Sequence, residues 1–270
     1  MLTQFKNSKR AKLTNFESSI TNDSEIESYE RVYRRRFKEA LSTKRLDLND
    51  CEVTEEEALK FVVPFLMDNP EITSVDLSNN LIDYRGSVMI SKIDSITTLE
   101  VEKNCLDDLC VEAISKSRSI RKLCLGDNNI TTIGAKFLAK NEYIKDLSIW
   151  GNNIGNFGLM SLLGSHSIER LNVKLSGIKG ASGLSGIKHN ELLTDLDIAS
   201  NSIGDSGAIE ISKIRINLRL KASFCNIGDV GHNALMDNKK ISIDSKTAGN
   251  NSEIGKENGT KRAKKISCSN

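Results

Sequence analysis

One motif recurs along the middle of this chain, and it narrows the possible folds more than any composition figure. Two apolar residues one position apart are followed three residues later by Asn, and two after that by Ile or Leu. Val75, Leu77, Asn80 and Ile82 make one copy, and Leu99, Val101, Asn104 and Leu106 the next. The stretches 123–130, 147–154 and 196–203 repeat it, while weaker copies place Cys51, Ser176 or Cys225 where the Asn stands. The Asn-equivalent positions are 51, 80, 104, 128, 152, 176, 201 and 225, so every interval after the first is 24 or 25 residues. Self-similarity at that period means stacked units, each too small to bury its apolar face alone.

The residues of a copy specify its local structure. The alternating apolar pair makes one short strand, and the residue between them faces the other way. An inward Asn can bond backbone groups left open where the chain leaves the strand. The remainder reads as a short helix, with Gly134 and Ala135 ahead of Leu138, Gly158 ahead of Leu162, and Gly207 and Ala208 ahead of Ile211. Small residues there let the helix lie close to the strands. The motif resembles the leucine-rich repeat signature. The run Ile203, Gly204, Asp205, Ser206, Gly207, Ala208 is similar to the ribonuclease-inhibitor-like class of such proteins. The resemblance covers residues 45–244 and implies an α/β solenoid, a horseshoe with a parallel β-sheet on the concave face and short helices on the convex face. It also implies a module that binds other proteins through its strand side. The unit is shorter than that class usually has, which implies a shorter helix and a different curvature.

The ends read differently. Residues 1–22 are expected to be a flexible arm. Residues 23–44 form an amphipathic helix, with Tyr29, Tyr33, Phe37 and Leu41 on one side and Arg34, Arg35 and Lys38 mostly on the other. That helix is placed to cover the first apolar layer of the stack. The repeats then run over 45–244, about eight of them, with a degenerate last unit at Leu235, Ile241 and Ile243. Residues 245–270 hold too few apolar side chains to fold and read as a disordered basic tail.

Net charge follows the same division. Residues 1–44 and 245–270 each balance to +4, and 45–244 to −6. An acidic body argues against nucleic acid as a partner. No window approaches the ~18 apolar residues of a spanning helix, and no signal-peptide apolar core is present, so a cytoplasmic protein is expected. Six cysteines spread over different repeats are read as free thiols.

Catalytic constellations are thin. His166, His189 and His232 do not fall on the strand face beside Cys124, the one cysteine whose position points outward, and no phosphate loop, dinucleotide fingerprint or metal-ligand spacing occurs. No enzyme, metal or cofactor is expected.

The outward positions carry the site reading. Between the apolar pair stand Asp47, Asp76, Glu100, Cys124, Ser148, Asn172, Asp197 and Lys221; two residues on come Asn49, Ser78, Glu102, Gly126, Trp150, Lys174, Ala199 and Ser223. Asp47, Asp76 and Glu100 are expected to repel one another across strands ~5 Å apart. With Glu102, Asp50 and Asp127 they make an acidic half-groove suited to basic side chains on a partner. Trp150 is the sole tryptophan, and with Leu175 and Phe224 it offers an apolar contact.

These features point to a non-enzymatic binding protein, monomeric before it binds, that engages a partner protein at Asp47, Asp76, Glu100, Glu102, Asp127, Trp150, Lys174, Leu175, Asp197, Lys221 and Phe224. The polar C-terminal stretch, with Glu253, Glu257 and Ile266, is similar to the signals of type IV-secreted bacterial effectors. An effector delivered to a host cytosol would then inhibit or redirect an enzyme, or another effector, by occupancy. The alternative is an adaptor that holds a target on the repeats and recruits a second factor through the N-terminal helix or the basic tail.

Overall fold

The computed structural model describes residues 33–244. The arm expected at 1–22, the beginning of the helix expected at 23–44 and the tail expected at 245–270 lie outside the described residues. The chain divides into two compact units. Within the described residues the first comprises 33–128 and 140–148, and the second 129–139 and 149–244.

The first unit opens with a helix, Arg34–Thr43, that buries Phe37, Ala40 and Leu41. Phe37 stacks on Phe65 with ring centroids 3.8 Å apart, and Tyr33 tilts against Phe61 at 5.1 Å. Five strands follow, β1 (Arg45–Asp47), β2 (Ser74–Asp76), β3 (Thr98–Glu100), β4 (Lys122–Cys124) and β5 (Asp146–Ser148). They pair in parallel and in chain order, aligning Leu46, Val75, Leu99, Leu123 and Leu147 in one buried row. The long first interval is taken up by the continuous helical stretch 55–68, which a Thr54–Glu57 capping box opens.

The second unit repeats the plan with β6 (Arg170–Asn172), β7 (Asp195–Asp197), β8 (Leu218–Lys221) and β9 (Ile241–Ile243), again parallel and in chain order. Its helices are Thr132–Ala139, Gly155–Leu163, Gly204–Ile211 and Asp229–Asp237. The helix expected in each repeat is replaced once by two short 3-10 turns, Ser182–Leu184 and Ile187–His189. Gly180, Gly183 and Gly186 fall in that stretch, and glycine is the costliest residue apart from proline in a helix interior. At Gly207 a Cβ would lie 2.5 Å from the Cβ of Ile203, so close packing demands glycine there.

The Asn ladder holds both units together internally. Asn80 accepts on Oδ1 from the N–H groups of Cys51 and Val53 in the preceding repeat and donates from Nδ2 to Leu48, Leu77 and Ser78 carbonyls. Asn201 does the same for Ser176, Ile178, Val173, Ile198 and Ala199. In the variant copies Ser176 Oγ and Cys225 Sγ keep part of this role by donating to nearby carbonyls. A second set of amides, buried at Asn141 and Asn190 and half-buried at Asn238, adds to the ladder. Asn141, Asn190 and Asn238 sit where each helix leads into the next strand, donating to carbonyls of the preceding repeat and accepting N–H groups two or three residues ahead.

Candidate protein-binding surface

Three strand-side positions of each repeat face away from the core, and the expected columns supply two of them. The third is the residue just before the apolar pair: Arg45, Ser74, Thr98, Lys122 and Asp146 in the first unit, and Arg170, Asp195 and Arg219 in the second. Alternation along the strand places it beside the Asp47 column.

In the first unit that overlooked column changes the acidic row. Arg45 donates from Nη2 to Asp76 Oδ2 at 2.8 Å and to Glu100 Oε2 at 3.3 Å. Lys122 donates from Nζ to Glu100 Oε1 at 2.7 Å. Cations therefore bridge Asp76 and Glu100, offsetting the repulsion that Glu100 still exerts on Asp76. Burial would raise the Glu100 carboxyl, but bonds from Lys122 and Arg45 hold it below its ordinary value. Burial raises Asp76 above the usual carboxylate value, against the pull of Ser78 and Arg45. The Lys122 ammonium is raised by its bond to Glu100.

The same column has a local task as well. Asp47, Asp76, Asn172 and Asp197 each accept, through Oδ1, the backbone N–H two residues ahead, at Asn49, Ser78, Lys174 and Ala199. A short Asx side chain closes the turn off the strand, so part of the preference for Asp there is structural. Asp76 is only 6% exposed. Glu102 is half-buried and accepts from Ser148 Oγ, while Asp127 is exposed.

The residue before each Asn-equivalent is left-handed in every repeat. Asp50, Asn79, Lys103 and Asp127 occupy it in the first unit, and Gly151, Leu175, Ser200 and Phe224 in the second, with φ between 51° and 69°. Inter-repeat bonds impose this geometry: Asp50 donates to the Ser78 carbonyl, Asn79 to Glu102, Leu175 to Ala199 and Ser200 to Ser223. Asp, Asn and Gly tolerate such a backbone, whereas Leu and Phe lose ~1–2 kcal/mol to it. Leu175 is nevertheless 58% exposed and Phe224 77%.

Around them in the second unit, Trp150 is half-buried and Lys174 exposed. Lys221 lies 4.0 Å from Asp197, and Arg219 3.4 Å from Asp195. The structure thus groups Asp47, Asp76, Glu100, Glu102 and Asp127 on the first unit and Trp150, Lys174, Leu175, Asp197, Lys221 and Phe224 on the second.

The thiols are not poised for chemistry. Burial pushes Cys124 and Cys110 up to about 12 and Cys225 up to about 11. Cys51, Cys110, Cys124 and Cys225 are free, but Cys105 is disulfide-bonded. The expectation of free thiols throughout is corrected at that residue. Among the described residues no group of three or more His, Cys, Asp or Glu could hold a metal ion, and no helix is long and apolar enough to cross a membrane.

Short parallel strands in chain order, one per repeat, with an Asn ladder and intervening helical segments, define a leucine-rich repeat solenoid. The family model described as Leucine Rich repeat matches residues 116–139 and 189–212. Among solved structures, internalin C2 of Listeria monocytogenes str. 4b F2365 is similar, with a TM-score of 0.55 at 21% identity over 78% of this chain and 91% of that one. An internalin (InlF) of the same strain gives a TM-score of 0.48 at 18% identity, over 66% of this chain. The present chain spans 55% of that InlF chain. The likeness to internalin C2 is one of fold. No curated protein matches the sequence.

Proposed function

We propose that this protein is a non-enzymatic binding module that holds a partner protein on the strand side of its repeats and acts by occupancy. The observation that carries this reading is a contrast within each repeat. Inward positions are nearly interchangeable from copy to copy: Leu46, Val75, Leu99, Leu123, Leu147, Leu171, Leu196 and Leu220 are all buried. One outward column, two residues before each Asn-equivalent, instead runs through Asn49, Ser78, Glu102, Gly126, Trp150, Lys174, Ala199 and Ser223. Folding accounts for the first set, and most of the second is available for recognition. Protonated, buried thiols add support, because a nucleophilic cysteine needs its thiolate.

The similarity of residues 245–270 to type IV secretion signals, and of Ile203–Ala208 to the ribonuclease-inhibitor-like class, supports the finer proposal of a bacterial effector that covers a surface of a host enzyme or another effector. Photo-cross-linking residues placed at Ser148 or Ser223 of the full chain, expressed in cells, should each give an adduct with one discrete protein. The same residue at Lys136 or Glu210, on the helix side, should give none. Adducts only from the helix side refute the strand-side reading.

A further inference from the structure

We propose that the strand face of the second unit receives an acidic protein segment bearing apolar side chains, seated between Leu175 and Phe224 with its carboxylates toward Lys174 and Lys221. The proposal deepens the protein-binding reading and rests on it.

The first argument is conformational. Leu175 and Phe224 occupy a turn position that is left-handed in every described repeat, that a bond to the Ala199 carbonyl holds at Leu175, and that the other six repeats fill with Asp, Asn, Lys, Gly or Ser. Neither large side chain is buried, at 58% and 77% exposure. Backbone preference selects against both residues and the core gains little from either, so what they serve lies outside the chain. They stand two strand spacings apart, about 10 Å, on either side of Ser200. Ala199 and Ser223, the small residues just before Ser200 and Phe224, leave room beside them for one segment.

The second argument is charge. This face carries Arg170, Lys174, Arg219 and Lys221 against Asp195, Asp197 and Asp244, the last aligned with Lys221 by the register of β8 and β9. Asp195 is engaged by Arg219, and Asp197 by the Ala199 N–H and Lys221. Lys174 makes no ion pair among the described residues. An acidic segment finds Lys174 without an ion pair on a face of net positive charge, whereas a basic one meets an excess of like charge.

Phage-displayed random peptides selected on the full-length chain test this. The enriched sequences should combine Asp or Glu with aromatic or aliphatic residues. Their retention should fall about tenfold or more on the Leu175→Asn, Phe224→Asn double variant and again on Lys174→Glu with Lys221→Glu, and should weaken with added salt. The Asn pair should keep or exceed the wild-type Tm, which separates lost contact from lost fold; a clear fall in Tm would show the two residues to be structural and overturn the proposal. Enrichment of Lys- or Arg-rich sequences, retention indifferent to both double variants, or no enrichment also overturns it. If retention falls instead on Glu100→Gln with Glu102→Gln, this proposal fails while strand-side binding stands. If it falls only on Lys136→Glu with Lys140→Glu, both fail.

Discussion

The strand faces of the two units share one frame and differ in what they put on it. On the first, acids outnumber bases, and the central ones are bridged internally: Arg45 spans Asp76 and Glu100, and Lys122 holds Glu100 from the other side. On the second, bases outnumber acids, and Leu175 and Phe224 stand exposed at turn positions that disfavour them. A paired charge network contributes to its own unit and offers a partner little without being broken. Exposed apolar groups beside cations contribute nothing to their unit and much to a partner. The comparison teaches that the more acidic face is the more self-contained one.

The same contrast appears at the ends of the described chain and supplies the largest expected effect. Phe37 is fully buried against Phe65, whereas Ile241 and Ile243 are half-buried. Phe37→Ala should cost about 4 kcal/mol and Ile243→Ala about 1 kcal/mol in urea unfolding. Equal costs would erase the difference between the two ends.

Next in size is a test of what the units have in common. Asn80→Ala and Asn201→Ala each strand several buried backbone groups, and each should cost about 3 kcal/mol. A loss confined to one unit would mean that the ladder is not shared.

Arg45→Met, which leaves Asp76 buried without its cation, should cost about 1–2 kcal/mol near neutral pH, reduced from a buried-pair value because Arg45 is partly exposed. Asp76 already titrates above its ordinary value, so the variant's deficit should shrink as pH falls and Asp76 takes up its proton. Glu100 has the opposite sign. Its lowered value contributes stability above its unfolded pKa, and that stability is lost as pH falls through the folded one. Chemical-shift titration of the two carboxyls checks both directions, and Lys122→Met should move Glu100 upward. Lys221→Met on the second unit should change stability by less than about 0.5 kcal/mol.

The smallest effect is a gain. Leu175→Asn or Phe224→Asn should leave stability unchanged or raise it by up to ~1 kcal/mol, since Asn suits the left-handed turn. Asn79→Leu, the reverse change on the first unit, should lower it by a similar amount. Thermal unfolding of the three variants would break the comparison if the signs were reversed.

The repeat frame, the buried rows at Leu46 through Leu220 and the inward Asn ladder are legible from periodicity alone, because each follows from residues within one repeat and from the alternation of a strand. That alternation also contained the column of Arg45 and Lys122, which becomes visible once the residue before the apolar pair is counted as outward. Whether Asp76 repels its neighbours or is held by them was not legible. It depends on which side chains face it across strands about 5 Å away, and those, Arg45 and Glu100, come from 31 and 24 residues away in the chain.

What the sequence alone determined is therefore the periodic part of this protein: parallel strands, their inward residues and the amides that bind one repeat to the next. Tertiary structure alone decided which charges are satisfied, which Asx side chains close turns, and that Leu175 and Phe224 sit left-handed and uncovered. The physical reason is that burial of an alternating pattern is a local property of the chain. Ion pairing and the handedness of a turn are instead set by hydrogen bonds and charges that neighbouring repeats bring.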